Sequence, residues 1–106
     1  MNALAKTVLS ELQTRLSSLY GDRLKQLLLY GSTARGEAEP GSDLDVLVVL
    51  QGPVDAGQEI ARTGAIVAEL SLANDVVIAC VFMDQERFLH RQGPFLRHVR
   101  REGIPL

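Results

Sequence analysis

A chain of 106 residues, 46 % of them hydrophobic, has material for one small globular domain and too little for two. Its single cysteine excludes an intrachain disulfide, and no apolar run approaches the roughly 20 residues that a membrane span needs. A net charge of −2, with 5 % aromatics and no stripe of aromatics interleaved with basic residues, gives no sign of a nucleic-acid-binding module.

Leu4, Val8, Leu9, Leu12, Leu16 and Leu19 recur at helical spacing, which predicts an amphipathic helix over residues 3–19, ended by Tyr20-Gly21-Asp22. This start lacks the charged lead and continuous apolar run of a signal peptide, and with one cysteine the expected location is cytoplasmic. Leu24 to Tyr30 reads as a strand, apolar on both faces through "LLLY". Thr33 to Glu37 reads as a turn or a single helical turn, and "EPGS" as a loop. Asp43 to Leu50 is the second strand, and "VLVVL" marks it as central in a sheet. "QGPVDAG" breaks it. Gly57 to Leu72 reads as a helix through Ile60, Ala61, Ile66, Val67 and Leu70, and Asp75 to Met83 as a third strand. Asp84 is placed to cap a short helix over Gln85 to Arg91, and Pro94 to start a last helix through Arg101.

The connections restrict the topology. A short excursion joins the first two strands, so they are expected to be antiparallel. A long helical crossover joins the second and third, which favours a parallel pair. The expected fold is α+β: a mixed three-stranded sheet in the order 1-2-3, packed with four to five helices, in one domain over residues 1–106. The second and third strands then start at the same end of the sheet.

Two negative charges open the second strand. Side chains alternate along a strand, so Asp43 and Asp45 share a face, with α-carbons about 6.6 Å apart. Two carboxylates held side by side against apolar strands repel each other, and a cation relieves this. Oxygen donors suit a hard cation such as Mg²⁺, which keeps open positions for substrate phosphates. A third carboxylate on the neighbouring strand, for which Asp75 is the candidate, would allow a two-ion site with ions about 3.5–4 Å apart. Upstream, Gly31 lets the backbone approach a ligand closely. The amides that follow it and the Ser32 hydroxyl can donate to phosphate oxygens, and the planar fork of Arg35 suits the same group.

Taken together, "GSTARGEAEPGSDLDVLV" resembles the G-S-x-x-R-G…S-D-x-D signature of the minimal nucleotidyltransferases, within the DNA polymerase β-like nucleotidyltransferase superfamily. The order of elements along the chain is similar to that family's whole domain, and "VRREGIPL" looks like its usual ending. The resemblance implies Mg²⁺-dependent transfer of a nucleoside monophosphate, AMP from ATP in the expected case, to an acceptor with release of pyrophosphate. It makes Asp43, Asp45 and Asp75 the catalytic acids and metal ligands. It makes Gly31, Ser32, Arg35 and Ser42 the nucleotide-binding residues. Short members are often antitoxins paired with a helical HEPN-type ribonuclease toxin, and related antitoxins add AMP to a tyrosine of that toxin. The resemblance therefore implies a protein acceptor in a hetero-oligomer, with a homodimer as a further possibility. Two rivals stand beside it: a non-catalytic nucleotide-binding module that neutralises its partner by contact, and an enzyme that modifies a small-molecule hydroxyl.

The remaining residues say less. The chain from Arg87 onward holds five arginines and one acid, Glu102, while Glu37 to Glu86 holds ten acids and one basic residue, Arg62. The basic end reads either as a solvated helix or as a surface for phosphates or an acidic partner, and Phe88, Leu89, Phe95, Leu96 and Val99 give it an apolar stripe. His90 and His98 lack partners at ligand spacing and read as surface residues. Cys80 reads as a packed thiol. Tyr30 reads as core beside the nucleotide pocket.

Overall fold

A computed structural model describes residues 2–36 and 43–106. Helix α1 (Ala3–Tyr20) starts where the Asn2 side chain accepts a hydrogen bond from the Ala5 amide at 2.7 Å. It buries Val8, Leu9, Leu12 and Leu16 on one side, as their spacing demands. A short 3-10 turn (Gly21–Arg23) leads into strand β1 (Leu24–Tyr30), which runs directly into the four-residue helix α2 (Gly31–Ala34). Strand β2 (Leu44–Leu50) is followed by helix α3 (Ala56–Asn74), capped by the Asp55 carboxylate on the Gln58 amide at 3.1 Å. Strand β3 (Ile78–Asp84) then gives way to helix α4 (Gln85–His90), helix α5 (Pro94–Glu102) and the two-residue strand β4 (Ile104–Pro105). Asp84 caps α4 by accepting from the Arg87 amide, and Pro94 opens α5.

β1 and β2 pair antiparallel, and β2 and β3 pair parallel, as the connections require. Among the described residues, however, the sheet has four strands, in the order β3-β2-β1-β4. The addition is β4, antiparallel to the outer edge of β1, and the Leu106 amide also donates to the Leu27 carbonyl there. Two residues, one of them a proline, carry no readable alternation, so this strand exists through its tertiary pairing alone.

The chain between α3 and β3 also departs from expectation. The helix runs to Asn74, and Asp75 adopts the left-handed conformation (φ 51°, ψ 48°) as its C-cap, donating its amide to the Ser71 carbonyl. β3 therefore starts at Ile78, not at Asp75. A helix end needs such a cap, and aspartate tolerates that conformation better than most side chains.

β2 is buried on both faces. Leu44, Val46, Val48 and Leu50 join the larger core under α1 and α3, and Leu47 and Val49 join Leu28 and Val99 on the other face. The C-terminal apolar stripe is largely spent here. Leu96 and Val99 are buried and Phe88 packs against the second core, leaving Leu89 and Phe95 exposed. The loop expected at "EPGS" lies outside the described residues.

Candidate active site

The end of β1 and the start of β2 meet at one corner of the sheet. Tyr30, the last residue of β1, lies opposite Asp45 in the antiparallel register. At Gly31 the chain turns with φ +77°, a conformation that side chains with a β-carbon rarely adopt. A β-carbon there would also run into the Asp45 carboxylate: its Cγ would lie 3.3 Å away and Oδ2 closer still. Glycine is therefore fixed at this position by backbone conformation and by the acid it touches.

Helix α2 ties the same corner from the other side. The buried Thr33 donates its hydroxyl to the Asp43 carbonyl at 3.2 Å, and the Arg35 amide bonds back to the Gly31 carbonyl at 3.2 Å. The turn after β1 is thus hydrogen-bonded to Asp43, the residue just ahead of β2. Sequence reasoning did not single out Thr33; its signal was a hydroxyl among small residues in a tight turn.

Asp45 is half-buried, while Asp43 is exposed. Burial, and secondarily the charge of Asp43, hold the Asp45 carboxyl above its usual range. Burial, then the charge of Asp45, also raises the Tyr30 hydroxyl. Phe95 at the start of α5 meets Tyr30 edge to face, with ring centroids 5.3 Å apart. The corner is thus a carboxylate pair, one member partly desolvated, with Tyr30 beside it. Such an oxygen donor set fits a hard divalent cation, whose charge would offset both the repulsion and the desolvation.

The third predicted acid is placed differently. Asp75 sits at the same end of the sheet, but in the cap ahead of β3. The β3 residue beside Asp45 is Ala79. Among the described residues, no group of three His, Cys, Asp or Glu side chains is placed to hold a metal ion. Ser42 lies outside the described residues.

Arg35 makes an ion pair that the sequence reading missed. Its Nη1 lies 3.2 Å from Glu102 Oε2, at the end of α5, and His98 Nε2 lies 3.1 Å from the same oxygen. The available signal was that Glu102 is the one acid in the basic C-terminal segment. His90 pairs loosely with Glu86 at 3.5 Å. Cys80 is packed in β3, and burial pushes its thiol up to about 11. At the far end of the sheet, the buried Glu59 accepts from the Tyr20 hydroxyl at 2.8 Å and from Arg62 Nε at 2.9 Å, joining α1 to α3.

The nucleotidyltransferase domain family matches residues 9–101. The chain belongs to that family. It is a nucleotidyltransferase, and the resemblance carried by the G-S and D-x-D residues is borne out. The MJ0604 protein of Methanocaldococcus jannaschii, named by inference as a protein adenylyltransferase, is 34 % identical over 96 residues, which are 90 % of each chain. A second protein of that organism with the same kind of name, MJ0141, is 29 % identical over 72 residues, 68 % of this chain and 72 % of its own. A solved structure described as a minimal nucleotidyltransferase, also by inference, matches with a TM-score of 0.61 at 25 % identity, over 95 % of this nucleotidyltransferase and 94 % of its own chain. A toxin–antitoxin structure solved with AMP-PNP shares the fold, with a TM-score of 0.61 at 18 % identity over 88 % of this chain and 68 % of its own.

Proposed function

We propose that this nucleotidyltransferase moves AMP from ATP to a hydroxyl of a partner protein. The observation that carries the reading is the corner itself: a partly desolvated Asp45 carboxylate lodged against Gly31, with Asp43 two residues upstream. Protein adenylyltransferase names on two relatives, and a toxin–antitoxin neighbour solved with an ATP analogue, support the choice of nucleotide and of acceptor class. The partner we favour is a helical ribonuclease toxin of the HEPN type.

Asp43 and Asp45 are the residues that would hold Mg²⁺. Bound there, the ion would neutralise phosphate charge and polarise the phosphoryl group. Gly31, Ser32 and Arg35 hold the triphosphate, and Ser42 is assigned to the same job. The acceptor hydroxyl oxygen bonds to the α-phosphorus as its proton passes to Asp75 or to solvent, the bond from the α-phosphorus to the oxygen bridging to the β-phosphate breaks, and pyrophosphate leaves. Tyr30, the register partner of Asp45, packs beside it and takes part of the space that water would otherwise fill. Asp75 is assigned to the acceptor side with a lesser share, because it stands in a loop and not in the strand.

The test is to incubate the protein with α-labelled ATP, Mg²⁺ and the product of its neighbouring gene. Label is expected on the partner, and none when Asp45→Asn replaces the wild type. Stable complex formation without label transfer would show a contact neutraliser. Label on small molecules alone would refute the protein acceptor.

A further inference from the structure

The C-terminal helix α5 reaches the turn after β1 through Glu102. Glu102 Oε2 accepts from Arg35 Nη1 at 3.2 Å and lies 3.1 Å from His98 Nε2, one helical turn back on α5. The pair lies at the surface, with side-chain exposures of 33 % for Arg35 and 25 % for Glu102, where a ligand can reach the guanidinium. Its two ends are anchored independently. Arg35 stands at the end of α2, whose backbone is fixed by the Gly31 carbonyl and by the Thr33–Asp43 bond. Glu102 stands at the end of α5, which buries Leu96 and Val99 in the sheet core. Gly103, next in the chain, returns its amide to the Val99 carbonyl at 2.7 Å and leads into β4.

An arginine on a short turn has many rotamers, and ordering such a side chain on binding costs affinity. A carboxylate already holding one guanidinium nitrogen removes part of that cost. The arrangement has the order of a relay: His98 steadies Glu102, and Glu102 steadies Arg35. We infer that Glu102 is a positioning residue, which aims Arg35 at the triphosphate from the opposite end of the chain. The inference rests on the reading of Arg35 as a phosphate ligand. It makes α5 part of the nucleotide site and not just a cover for the sheet.

The experiment is calorimetric titration of Mg²⁺-ATP into the whole protein and into Glu102→Gln, Glu102→Ala, Arg35→Ala and the double variant Arg35→Ala/Glu102→Gln, with thermal unfolding run beside it. Glu102→Gln keeps the volume and removes the charge, so it decides the matter if Glu102→Ala folds poorly. Arg35→Ala is expected to weaken ATP about 10- to 150-fold, the range for a lost hydrogen bond to a charged group. Glu102→Gln is expected to weaken it roughly 3- to 10-fold through its coupling to Arg35, and to cost nothing further in the Arg35→Ala background. Wild-type affinity in Glu102→Gln, or the same additional loss in both backgrounds, would overturn the inference and leave Glu102 a structural tie. Wild-type affinity in Arg35→Ala would instead remove Arg35 from the proposed nucleotide site. A purely structural tie would lower the melting temperature without moving the affinity.

Discussion

Asp45 occupies the space that a β-carbon on residue 31 would need. The turn that approaches the triphosphate in our reading and the acid that holds its cation share one space, so a side chain at residue 31 would force the acid to move. The contact also explains why the turn follows β1 immediately: Tyr30 and Asp45 are register partners, and the next residue must bend past the carboxylate.

Gly31→Ala should therefore fail twice. The left-handed backbone costs about 1–3 kcal/mol for a residue with a β-carbon, and the carboxylate must move as well. Denaturant unfolding should show the loss of stability, and calorimetry the loss of Mg²⁺-ATP binding. Adding Asp45→Gly should restore part of the stability, because it removes the collision, but none of the binding.

Asp45→Asn should separate stability from activity. Burial and Asp43 raise the native carboxyl of Asp45 above its usual value near 3.8. The native state then holds that proton more tightly than the unfolded chain does. Its contribution to stability is present in acid and lost as the pH rises through the raised native value. In chelator at neutral pH, the Asn variant should melt higher than the wild type, and the gap should close below the usual carboxylate range. Transfer should be abolished at every pH. A variant that melts lower in chelator at neutral pH would show that the carboxylate stabilises the metal-free fold.

Asp75→Asn tests the share given to the third acid. Asparagine keeps the left-handed cap, so the melting temperature should hold. Labelled transfer should fall, but by less than in Asp45→Asn. Asp75→Val is the contrast, since a β-branched residue in that conformation costs roughly 1–3 kcal/mol. Equal transfer losses in Asp75→Asn and Asp45→Asn would promote Asp75 to a full metal ligand.

Tyr20→Phe probes the far end of the sheet. It removes the 2.8 Å bond to Glu59, leaving that buried carboxylate with Arg62. The expected cost is about 1.5–3 kcal/mol, the range for hydrogen bonds to charged groups, read from the denaturant midpoint. Nucleotide affinity should not change, because this cluster lies at the end of β2 away from Asp45.

What the sequence made legible, and what it hid, follows the range of the interactions. β1 was readable residue for residue, since "LLLY" and a Gly-Asp break bound it locally. Asp84 and Pro94 were readable as helix starts because capping is a matter of a few neighbouring atoms. The parallel pairing of β2 and β3 followed from the length of the crossover. β4 was not readable, because its two residues are a strand only against β1. Nor was the Arg35–Glu102 pair, whose members are 67 positions apart. Asp75 was misplaced for a subtler reason. A helix carrying Leu70 and Leu72 gives no apolar signal to mark its end, and Leu72 in fact faces solvent.

The half-buried charge at Asp45 also has a historical side. In our reading it is a burden in the metal-free fold, relieved when the cation binds. A descendant freed from catalysis would gain by discarding it, and Gly31 would then lose one of its two reasons to remain glycine. Inactive offshoots of this lineage should thus be recognisable from two positions changing in order, the acid first and the glycine after it.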